Sequence, residues 1–387
     1  MNNSTIKAVL VTYPDSFRQE EAKSLVESAE QTKTATTTTS TIPTYQIIKT
    51  FTQRYLNRSK YGIGSGKAEE IKQFVRESKS EKIIIDEHLT SKQIHNLEKL
   101  TSVPVIDRER LILDIFHSRA TTIEAKLQIQ LAEIKYEMPR VRENARLTPG
   151  SGERAGKGGM GEYTVDVKFR DLKRQMSFIK EKLESAKRKR HLYQEQRLKT
   201  GMPVVSLLGY TSSGKTTLFN LLTNEHKETS KSLFTTLSTT TRSLKLGNRD
   251  DRDDTVILLT DTIGFISRLP TYMIDAFKST LEESLAADLI LLLIDCSEEK
   301  IQDIRIKYSS CWNVLDELKV DASKVITILS KSDNTHSERI EEITNVLGIS
   351  NPIVMSSKTG YGIHKLKTMM ADHLIKLAID VLEPNAN

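Results

Sequence analysis

The sequence has little cysteine and no long apolar run. Only Cys296 and Cys311 occur among 387 residues, and they lack metal-ligand spacing, so we predict two buried thiols rather than a disulfide or a zinc site. No apolar run approaches the roughly 20 residues of a membrane-spanning helix. The N-terminus lacks the charged-then-apolar pattern of a signal peptide. These absences predict a cytoplasmic protein without a membrane span.

The positive charge is concentrated in one part of the chain. The net charge is +6, and residues 166–200 contain 12 lysine and arginine residues against 5 acidic residues, so this segment alone carries +7. A local basic helix indicates a polyanionic partner. A solvated surface helix is an equal alternative from charge alone.

The first 118 residues are predicted to form a small parallel α/β domain, because short β-rich runs alternate with helical patterns. The predicted strands are 8–11, 45–48, 82–85 and 103–106. Helices are predicted near 17–29, 67–78, 91–100 and 108–118. The threonine-rich segment 32–44 is predicted to be a mobile loop. Gly64-Ser65-Gly66-Lys67 resembles part of a phosphate loop, but a tight turn that begins a helix is the favoured interpretation.

Residues 119–200 are predicted to form an antiparallel helical hairpin. Apolar residues recur at helical steps in its first half, at Ala120, Ile123, Leu127, Ile134 and Met138. The second half has coiled-coil spacing, at Leu172, Met176, Ile179, Leu183 and Ala186. The glycine-rich connection, about 147–162, is predicted to be a flexible tip, with a plain linker as the alternative.

Residues 201–380 return to strand–helix alternation and predict one doubly wound α/β domain, followed by a tail at 381–387. The predicted strands are 204–208, 242–246, 255–260, 289–294, 325–329 and 353–355. The last helix is predicted at about 363–380.

A phosphate-binding loop begins this third segment. Residues 209–216 match G-x-x-x-x-G-K-[ST], and they follow an apolar run and precede a helical pattern, as the motif requires. Backbone N–H groups and the helix N-terminus present positive charge to polyphosphate. Lys215 is expected to reach the β- and γ-phosphates and Thr216 to bind Mg²⁺. The predicted nucleotide-binding residues here are Gly209, Tyr210, Thr211, Ser212, Ser213, Gly214, Lys215, Thr216 and Thr217.

Two further segments supply the predicted magnesium and γ-phosphate contacts. Asp261 ends an apolar strand, where ligands of parallel sheets bind, and the Gly264 amide is expected to sense the γ-phosphate. The hydroxyl-rich segment with Phe234, Thr235 and Thr236 is predicted to order around the ion, with Thr236 favoured as the ligand; a surface loop is the alternative. The predicted catalytic residues are Lys215, Thr236 and Gly264. The predicted metal ligands are Thr216, Thr236 and Asp261.

The last two predicted strands end in residues suited to guanine. Asp333 follows Ser330 and Lys331, and its carboxylate can accept the paired N–H donors that guanine has and adenine lacks. Lys331 can lie along the base, and a backbone N–H of Ser356, Ser357 or Lys358 can bind guanine O6. The phosphate loop, the segment 234–236, the Asp261–Gly264 segment, residues 330–333 and residues 356–358 follow one another in the order of a GTP-binding domain. This order indicates GTP rather than ATP.

Taken together, these motifs resemble the HflX-type GTPases, a ribosome-associated branch of the translation-factor-related GTPases. Inside the third segment the resemblance lies in 209–220, 233–237, 261–266, 269–270 and 276–283. Outside it, the resemblance lies in 61–67, 107–116, 119–120, 128–132 and 161–162. It covers about residues 1–380 and implies the three-part architecture predicted above.

The chain departs from that family at three places. Ser212-Ser213 replaces Asn-Ala, and because the asparagine helps to hold potassium in related GTPases, potassium activation is in doubt. Ser330 replaces the asparagine of the guanine motif, and Leu237-Ser238-Thr239 replaces Leu-Asp-Pro. Phe265 stands where Ras-like enzymes have a glutamine that orients water, and the family shares this substitution, so slow intrinsic hydrolysis is expected.

The resemblance implies a GTP switch whose partner is the ribosome, mainly large-subunit rRNA, with a role in splitting, rescue or stress. Salt-sensitive phosphate contacts from the basic hairpin agree with such a partner. A ribosome-assembly GTPase, or an RNA-binding adaptor that uses GTP occupancy without significant turnover, are the alternatives. A metabolic kinase is disfavoured. Oligomeric state is not predicted beyond a monomer as the default.

Overall fold

The structure is a computed structural model of the 387-residue chain. It describes residues 5–30, 44–147, 160–226, 233–234, 239–246, 255–276 and 286–382. The chain divides into two compact units, residues 1–186 and 187–387. Within the described residues, no helix is long and apolar enough to cross a membrane.

The N-terminal unit begins with an α/β layer domain, as predicted. Its elements are β1 (Thr5–Thr12), α1 (Ser16–Glu30), β2 (Thr44–Thr52), α2 (Ser65–Ser78), β3 (Lys82–Ile85), α3 (Ser91–Thr101), β4 (Val105–Asp107) and α4 (Arg108–Arg119). The four strands pair in parallel in the order β2-β1-β3-β4. Residues 8–11 of the inner strand β1 are all buried, as strands covered by helices on both faces require. Gly64 precedes the first residue of α2, so the predicted helix start is confirmed.

A buried ionic network that the sequence did not predict lies at the carboxyl edge of this sheet. Arg108 donates to Asp86 at 2.5 Å and to Glu21 at 2.8 Å, and all three are nearly inaccessible to solvent. Asp86 also accepts from the Thr12 hydroxyl at the end of β1. Because buried charges are tolerated only when paired and hydrogen-bonded, these contacts hold the ends of β1 and β3 in place.

Two long helices follow, α5 (Ile123–Leu147) and α6 (Met160–Thr200). They share a buried cluster formed by Leu131, Ile134, Val141, Leu172, Ile179 and Leu183, with Leu127, Met138 and Met176 packed against it. The Arg142 guanidinium lies 3.9 Å from the Phe169 ring. The end of α5 thus meets the start of α6, as an antiparallel hairpin requires.

The predicted stripe on the first helix was wrong at its start. Ala120 ends α4 with extended backbone, and Ile123 is 80% exposed. The reason is local, because the Thr122 hydroxyl accepts from the Ala125 amide and thereby begins a new helix after a break. Segment 31–43 and residues 148–159 of the predicted tip lie outside the described residues.

The C-terminal unit contains a six-stranded sheet in the order β10-β9-β8-β5-β7-β6. Its elements are β5 (Val204–Gly209), α7 (Lys215–Thr223), β6 (Thr240–Lys245), β7 (Val256–Asp261), β8 (Leu289–Asp295), α8 (Ile301–Glu317), β9 (Val325–Ser330), α9 (Ser337–Leu347), β10 (Ile353–Val354) and α10 (Ile363–Leu382). All pairs are parallel except β6 with β7. Residues 289–294 of β8 are apolar and fully buried, which places this strand at the centre.

Candidate nucleotide-binding site

The site begins in the loop between β5 and α7. Gly209 has φ +148°, and a Cβ there would lie 2.4 Å from the Leu293 carbonyl oxygen of neighbouring β8. Gly214, which precedes α7, has φ +93°. Both positions therefore require glycine, the first for a close backbone approach and the second for its torsion.

Lys215, the first residue of α7, is buried beneath this loop. Its ammonium donates to the carbonyl oxygens of Gly209 at 3.1 Å and Tyr210 at 2.8 Å. An ammonium has three donors, so one remains for an anionic ligand. Burial lowers the pKa of Lys215 to about 8, while the nearby Asp261 carboxylate opposes this shift.

Two of the predicted magnesium ligands lie together. The Thr216 hydroxyl donates to the Asp261 carboxylate at 3.1 Å. Asp261 is fully buried at the end of β7, and Leu207 of β5 is its partner across the parallel ladder. A hydroxyl and a carboxylate are hard oxygen donors of the kind that Mg²⁺ prefers, so the pair fits that ion. Thr235 and Thr236 lie outside the described residues. The preceding residue, Phe234, has φ +58° and is buried.

The segment after β7 is bound directly to the phosphate loop. The Phe265 amide donates to the Gly209 carbonyl at 3.0 Å, and the Phe265 carbonyl accepts from the Thr211 amide at 2.7 Å. A Cβ on Gly264 would lie 2.8 Å from Thr211 Cα and 3.0 Å from Lys215 Nζ. The structure therefore brings Gly264 against two residues of the predicted phosphate site.

Tyr210 makes a contact that the motif did not predict. Its hydroxyl accepts from the Ser267 amide at 2.8 Å, so it connects the phosphate loop to the segment beyond Phe265. The long side chain of Tyr210 is what allows it to reach the Ser267 amide. A large residue inside the phosphate loop was the sequence feature that could have indicated this contact.

The phosphate loop also contains two buried hydroxyl-bearing residues, Thr211 and Ser213. Among the described residues, no hydrogen-bond partner lies within reach of Thr211 Oγ1 or Ser213 Oγ. Ser212 between them has φ +63°. Since buried polar atoms are rarely left unpaired, this arrangement fits a polar ligand at the loop.

The predicted guanine loops are connected to each other and to the phosphate loop. Ser330 is buried at the end of β9, and its hydroxyl lies 2.8 Å from the Ser213 carbonyl oxygen, to which it donates. Asp333 accepts from the Ser356 hydroxyl at 2.6 Å. The Ser356 hydroxyl in turn accepts from the Lys358 amide at 3.2 Å. The serine at 330 thus reaches the phosphate loop despite its short side chain.

Lys331 has a partner that sequence reasoning missed. Its backbone has φ +61°, and its ammonium pairs with the Asp295 carboxylate at the end of β8. Asp295 also accepts from the amide and hydroxyl of Ser297. The sequence signal for Asp295 was its position at the end of an apolar strand, which is the same pattern that identified Asp261. Ser357 and Thr217 lie in the segments predicted for them.

Both cysteines are buried and reduced, as predicted. Cys296 Sγ donates to the Ser330 carbonyl at 2.9 Å. Burial raises the pKa of both thiols to about 12, so they stay uncharged at neutral pH and contribute packing rather than reactivity.

Three family models match the chain in succession. The model described as "GTP-binding GTPase N-terminal" matches residues 18–117, and "GTP-binding GTPase Middle Region" matches 119–197. A model described as "50S ribosome-binding GTPase" matches 204–331. The last match contains the phosphate loop, Asp261 and Ser330.

Individual proteins agree with these matches. GTPase HflX of Methanocaldococcus jannaschii is 41% identical over 341 residues, which cover 88% of this chain and 82% of that protein. GTPase HflX of Caldanaerobacter subterraneus is 36% identical over 337 residues, covering 86% and 74%. A crystal structure of SsGBP in complex with GDP is similar in fold, with a TM-score of 0.50 and 24% identity over 98% of this chain and 99% of the other. The chain belongs to the HflX family of GTPases.

Proposed function

We propose that this GTPase, which binds and hydrolyses GTP as its family does, is a switch that acts on the large ribosomal subunit. The observation that carries the proposal is the outer surface of α6. Between residues 166 and 189, nine cationic side chains are exposed against four acidic ones, while the apolar side packs on α5. The exposed cations are Lys168, Arg170, Lys173, Arg174, Lys180, Lys182, Lys187, Arg188 and Lys189.

This excess of charge suits a polyphosphate partner, since each cation that neutralises a phosphate releases bound counterions. The description "50S ribosome-binding GTPase" of the model that matches 204–331 supports the choice of the large subunit. In this proposal GTP favours the binding-competent state and hydrolysis favours release. A role in splitting or rescuing ribosomes under stress follows from family analogy.

We assign the site residues as follows. Lys215 and the Gly264 amide hold the γ-phosphate, and Thr216 and Asp261 hold Mg²⁺, with Thr236 as the third protein ligand. The fit of hydroxyl and carboxylate donors supports the metal assignment. Asp333 and Lys331 recognise guanine, and residues 356–358 complete the base site. The bond between Asp333 and Ser356 supports this part, because it holds the carboxylate in one orientation.

Hydrolysis is proposed to be slow without a partner. Phe265, which has no group to orient water, is buried and bonded through its backbone to the phosphate loop. A partner that rearranges this segment would then accelerate the reaction. We further propose that the chain has three domains, which are the α/β domain 1–118, the hairpin 119–200 and the GTPase domain 201–380, followed by a tail at 381–387.

The test is GTP turnover by the pure protein with and without purified large subunits, together with cosedimentation over a range of salt concentrations. We expect stimulation by subunits and salt-sensitive association. Replacing Lys180, Lys187 and Lys189 by glutamine should weaken association and reduce the salt slope by up to about 0.9 for each phosphate that the variant no longer neutralises. The same replacement of the exposed Lys23, Lys92 and Lys99 is the matched control. Absence of both stimulation and cosedimentation would refute the ribosomal proposal.

The base contact is tested separately with Asp333→Asn. An amide cannot accept both guanine N–H donors but can complement xanthine, so preference should move from GTP to xanthosine triphosphate. Asp316→Asn removes an exposed carboxylate elsewhere in the same unit and should leave GTP preference intact. Unchanged preference in the Asp333 variant would reject this assignment.

A further inference from the structure

A second concave site lies in the N-terminal unit. A cavity of about 460 Å³ opens at the carboxyl edge of the four-stranded sheet. Its walls come from Tyr13 after β1, residues 54–58 after β2 and Glu87 after β3. The strand order reverses around β1, and ligands of open parallel sheets bind in the crevice where such a reversal occurs.

The cavity is cationic and aromatic. Three of its lining residues are arginines and one is a carboxylate, Glu87, which accepts from the Tyr13 hydroxyl. The Arg18 guanidinium lies 4.2 Å from the Tyr13 ring centroid, and those of Arg54 and Arg58 lie 5.4 and 5.1 Å from that of Tyr55. Among the described residues, no carboxylate lies within ion-pair distance of Arg54 or Arg58. Arg18 pairs with Asp15 at 3.5 Å, so Arg54 and Arg58 supply the positive charge that a bound anion would neutralise.

The loop that presents these groups is held in one conformation. Leu56 is buried in the core of the sheet domain. The Asn57 amide donates to the Gly62 carbonyl at 2.8 Å, and Gln93 and Asn96 of α3 donate to the carbonyls of Ser59 and Lys60, each at 2.9 Å. The flanking Tyr55 and Arg58 are therefore displayed outward by a fixed backbone, which lowers the entropic cost of binding a ligand.

The alternation of charge and ring continues beyond the cavity. Lys60 lies 5.3 Å from the ring of Tyr61 in the same loop, and Lys60 is exposed. Several cation-and-ring pairs in one loop suit a ligand with more than one base and phosphate better than a free mononucleotide.

We propose that this cavity binds single-stranded RNA, with one unpaired base stacked on Tyr55 and the neighbouring phosphates held by Arg54 and Arg58. Guanidinium groups match phosphate oxygens in a two-bond geometry, and the Tyr55 side chain, 53% exposed, offers an aromatic surface. Stacking requires an unpaired base, because the faces of paired bases are covered in a duplex. The choice of RNA rather than DNA rests on the proposed ribosomal function.

Binding of a fluorescent oligoribonucleotide of about ten nucleotides to the full chain, followed by anisotropy, tests the proposal. Tyr55→Ala should weaken binding by about 5- to 150-fold, the usual range for one stacked base. Tyr55→Phe keeps the ring and should bind as the wild type does. Arg54→Gln with Arg58→Gln should lower the slope of log K against log salt by about 1.4 for single strands. Arg76→Gln with Lys92→Gln, which replaces two exposed cations on α2 and α3, is the charge-matched control.

A second readout separates this site from the cations of α6. An oligoribonucleotide that contains 4-thiouridine should cross-link to Tyr55 on irradiation, and mass spectrometry of the digested protein locates the adduct. Because Tyr55, Arg54 and Arg58 are exposed, thermal unfolding and GTP turnover without subunits should match the wild type in every variant.

Three outcomes would overturn the inference. They are wild-type binding by the Tyr55→Ala protein, cross-links elsewhere than residues 53–61, and binding of uridine monophosphate as tight as that of the oligoribonucleotide. Cosedimentation with large subunits is measured on the same variants. If subunits bind but the cavity variants bind RNA as the wild type does, this inference alone is rejected. If RNA binding depends on the cavity but subunits do not bind, the ribosomal proposal alone is rejected.

Discussion

At the scale of single residues, the buried Ser330 connects separate segments of the C-terminal unit through hydrogen bonds. The serine hydroxyl bonds the Ser213 carbonyl, and its own carbonyl accepts from the backbone amide and the thiol of Cys296. The predicted guanine loop, the phosphate loop and the residue that follows β8 thus meet at Ser330. We therefore propose that Ser330 positions the loops, with Asp333 as the group proposed to bind guanine.

Ser330→Ala should weaken GDP binding by about fivefold, because it removes one buried hydrogen bond of about 1 kcal/mol between the two loops. Titration with a fluorescent GDP analogue measures the change. The ratio of guanine to xanthine affinity should stay constant, which separates positioning from base contact. Ser310→Ala removes an exposed helical hydroxyl bonded to Ile306 and is the control. Unaltered affinity of the Ser330 variant would show that the loops are held by other contacts.

The lowered pKa of Lys215 predicts that nucleotide affinity depends on pH. Burial lowers its pKa from 10.5 to about 8, so the empty site loses its ammonium charge as pH rises through that value. Phosphate binding favours the charged form. By the same linkage, the free energy of unfolding of the nucleotide-free protein should rise between about pH 8 and pH 10.5. In this range Lys215 is still protonated in the unfolded chain but already neutral in the folded protein.

GDP affinity should accordingly be nearly constant below about pH 8 and fall as the pH is raised towards about 9. Calorimetric titration at several pH values checks this and also detects the proton taken up on binding. Lys215→Arg stays charged across the range, so whatever affinity it retains should not vary with pH. A wild-type affinity that is flat from about pH 7 to about pH 9 would contradict the mechanism.

At the scale of elements, apolar periodicity predicts the helical hairpin correctly along its buried seam. It predicts the start of α5 wrongly, because a capping side chain determines where that helix begins. The seam on α6 is buried at Leu172, Ile179 and Leu183, as its four- and three-residue steps predict. The predicted stripe on α5 includes Ala120 and Ile123, yet the helix begins only after Thr122. Apolar spacing does not report the competing hydrogen bond of a threonine side chain.

Ile179→Ala should destabilise the hairpin by about 2 to 4 kcal/mol, since it removes a buried branched side chain and leaves a cavity. Phe178→Ala, a change at a neighbouring residue that is 58% exposed, should cost little. Urea unfolding followed by circular dichroism, with limited proteolysis of α6, compares the two. Equal destabilisation by both changes would mean that α6 does not pack through the face assigned to it.

At the scale of the whole molecule, the two compact units have separate hydrophobic cores. One surrounds β1 and β3, and the other surrounds β5, β7 and β8. The assigned nucleotide site lies entirely in the second unit. Trp312, the one tryptophan of the chain, lies on α8 in that unit and reports its unfolding.

GDP with Mg²⁺ should therefore stabilise the second unit selectively. At a concentration 100 times the dissociation constant, the expected gain is about 2.7 kcal/mol, visible as a higher midpoint of the Trp312 fluorescence transition. Hydrogen exchange should slow in β8 and stay unchanged in β1. ADP, which lacks the guanine donors, is the control. An equal slowing in β1 would show that the two units unfold as one.

The sequence by itself determined the α/β class, nearly all described strands and helices, and the local motifs around Lys215, Asp261 and Asp333. These features are local, because periodicity, strand ends and glycine positions are written in consecutive residues. It could not decide contacts between distant segments. The bond from Ser330 to Ser213, the pairing of Lys331 with Asp295 and the network of Arg108 with Asp86 and Glu21 each join residues from different elements. Only the packing of the sheets brings such residues within hydrogen-bonding distance, and the same packing assembles the cavity around Tyr55 from three strand ends that no motif connects.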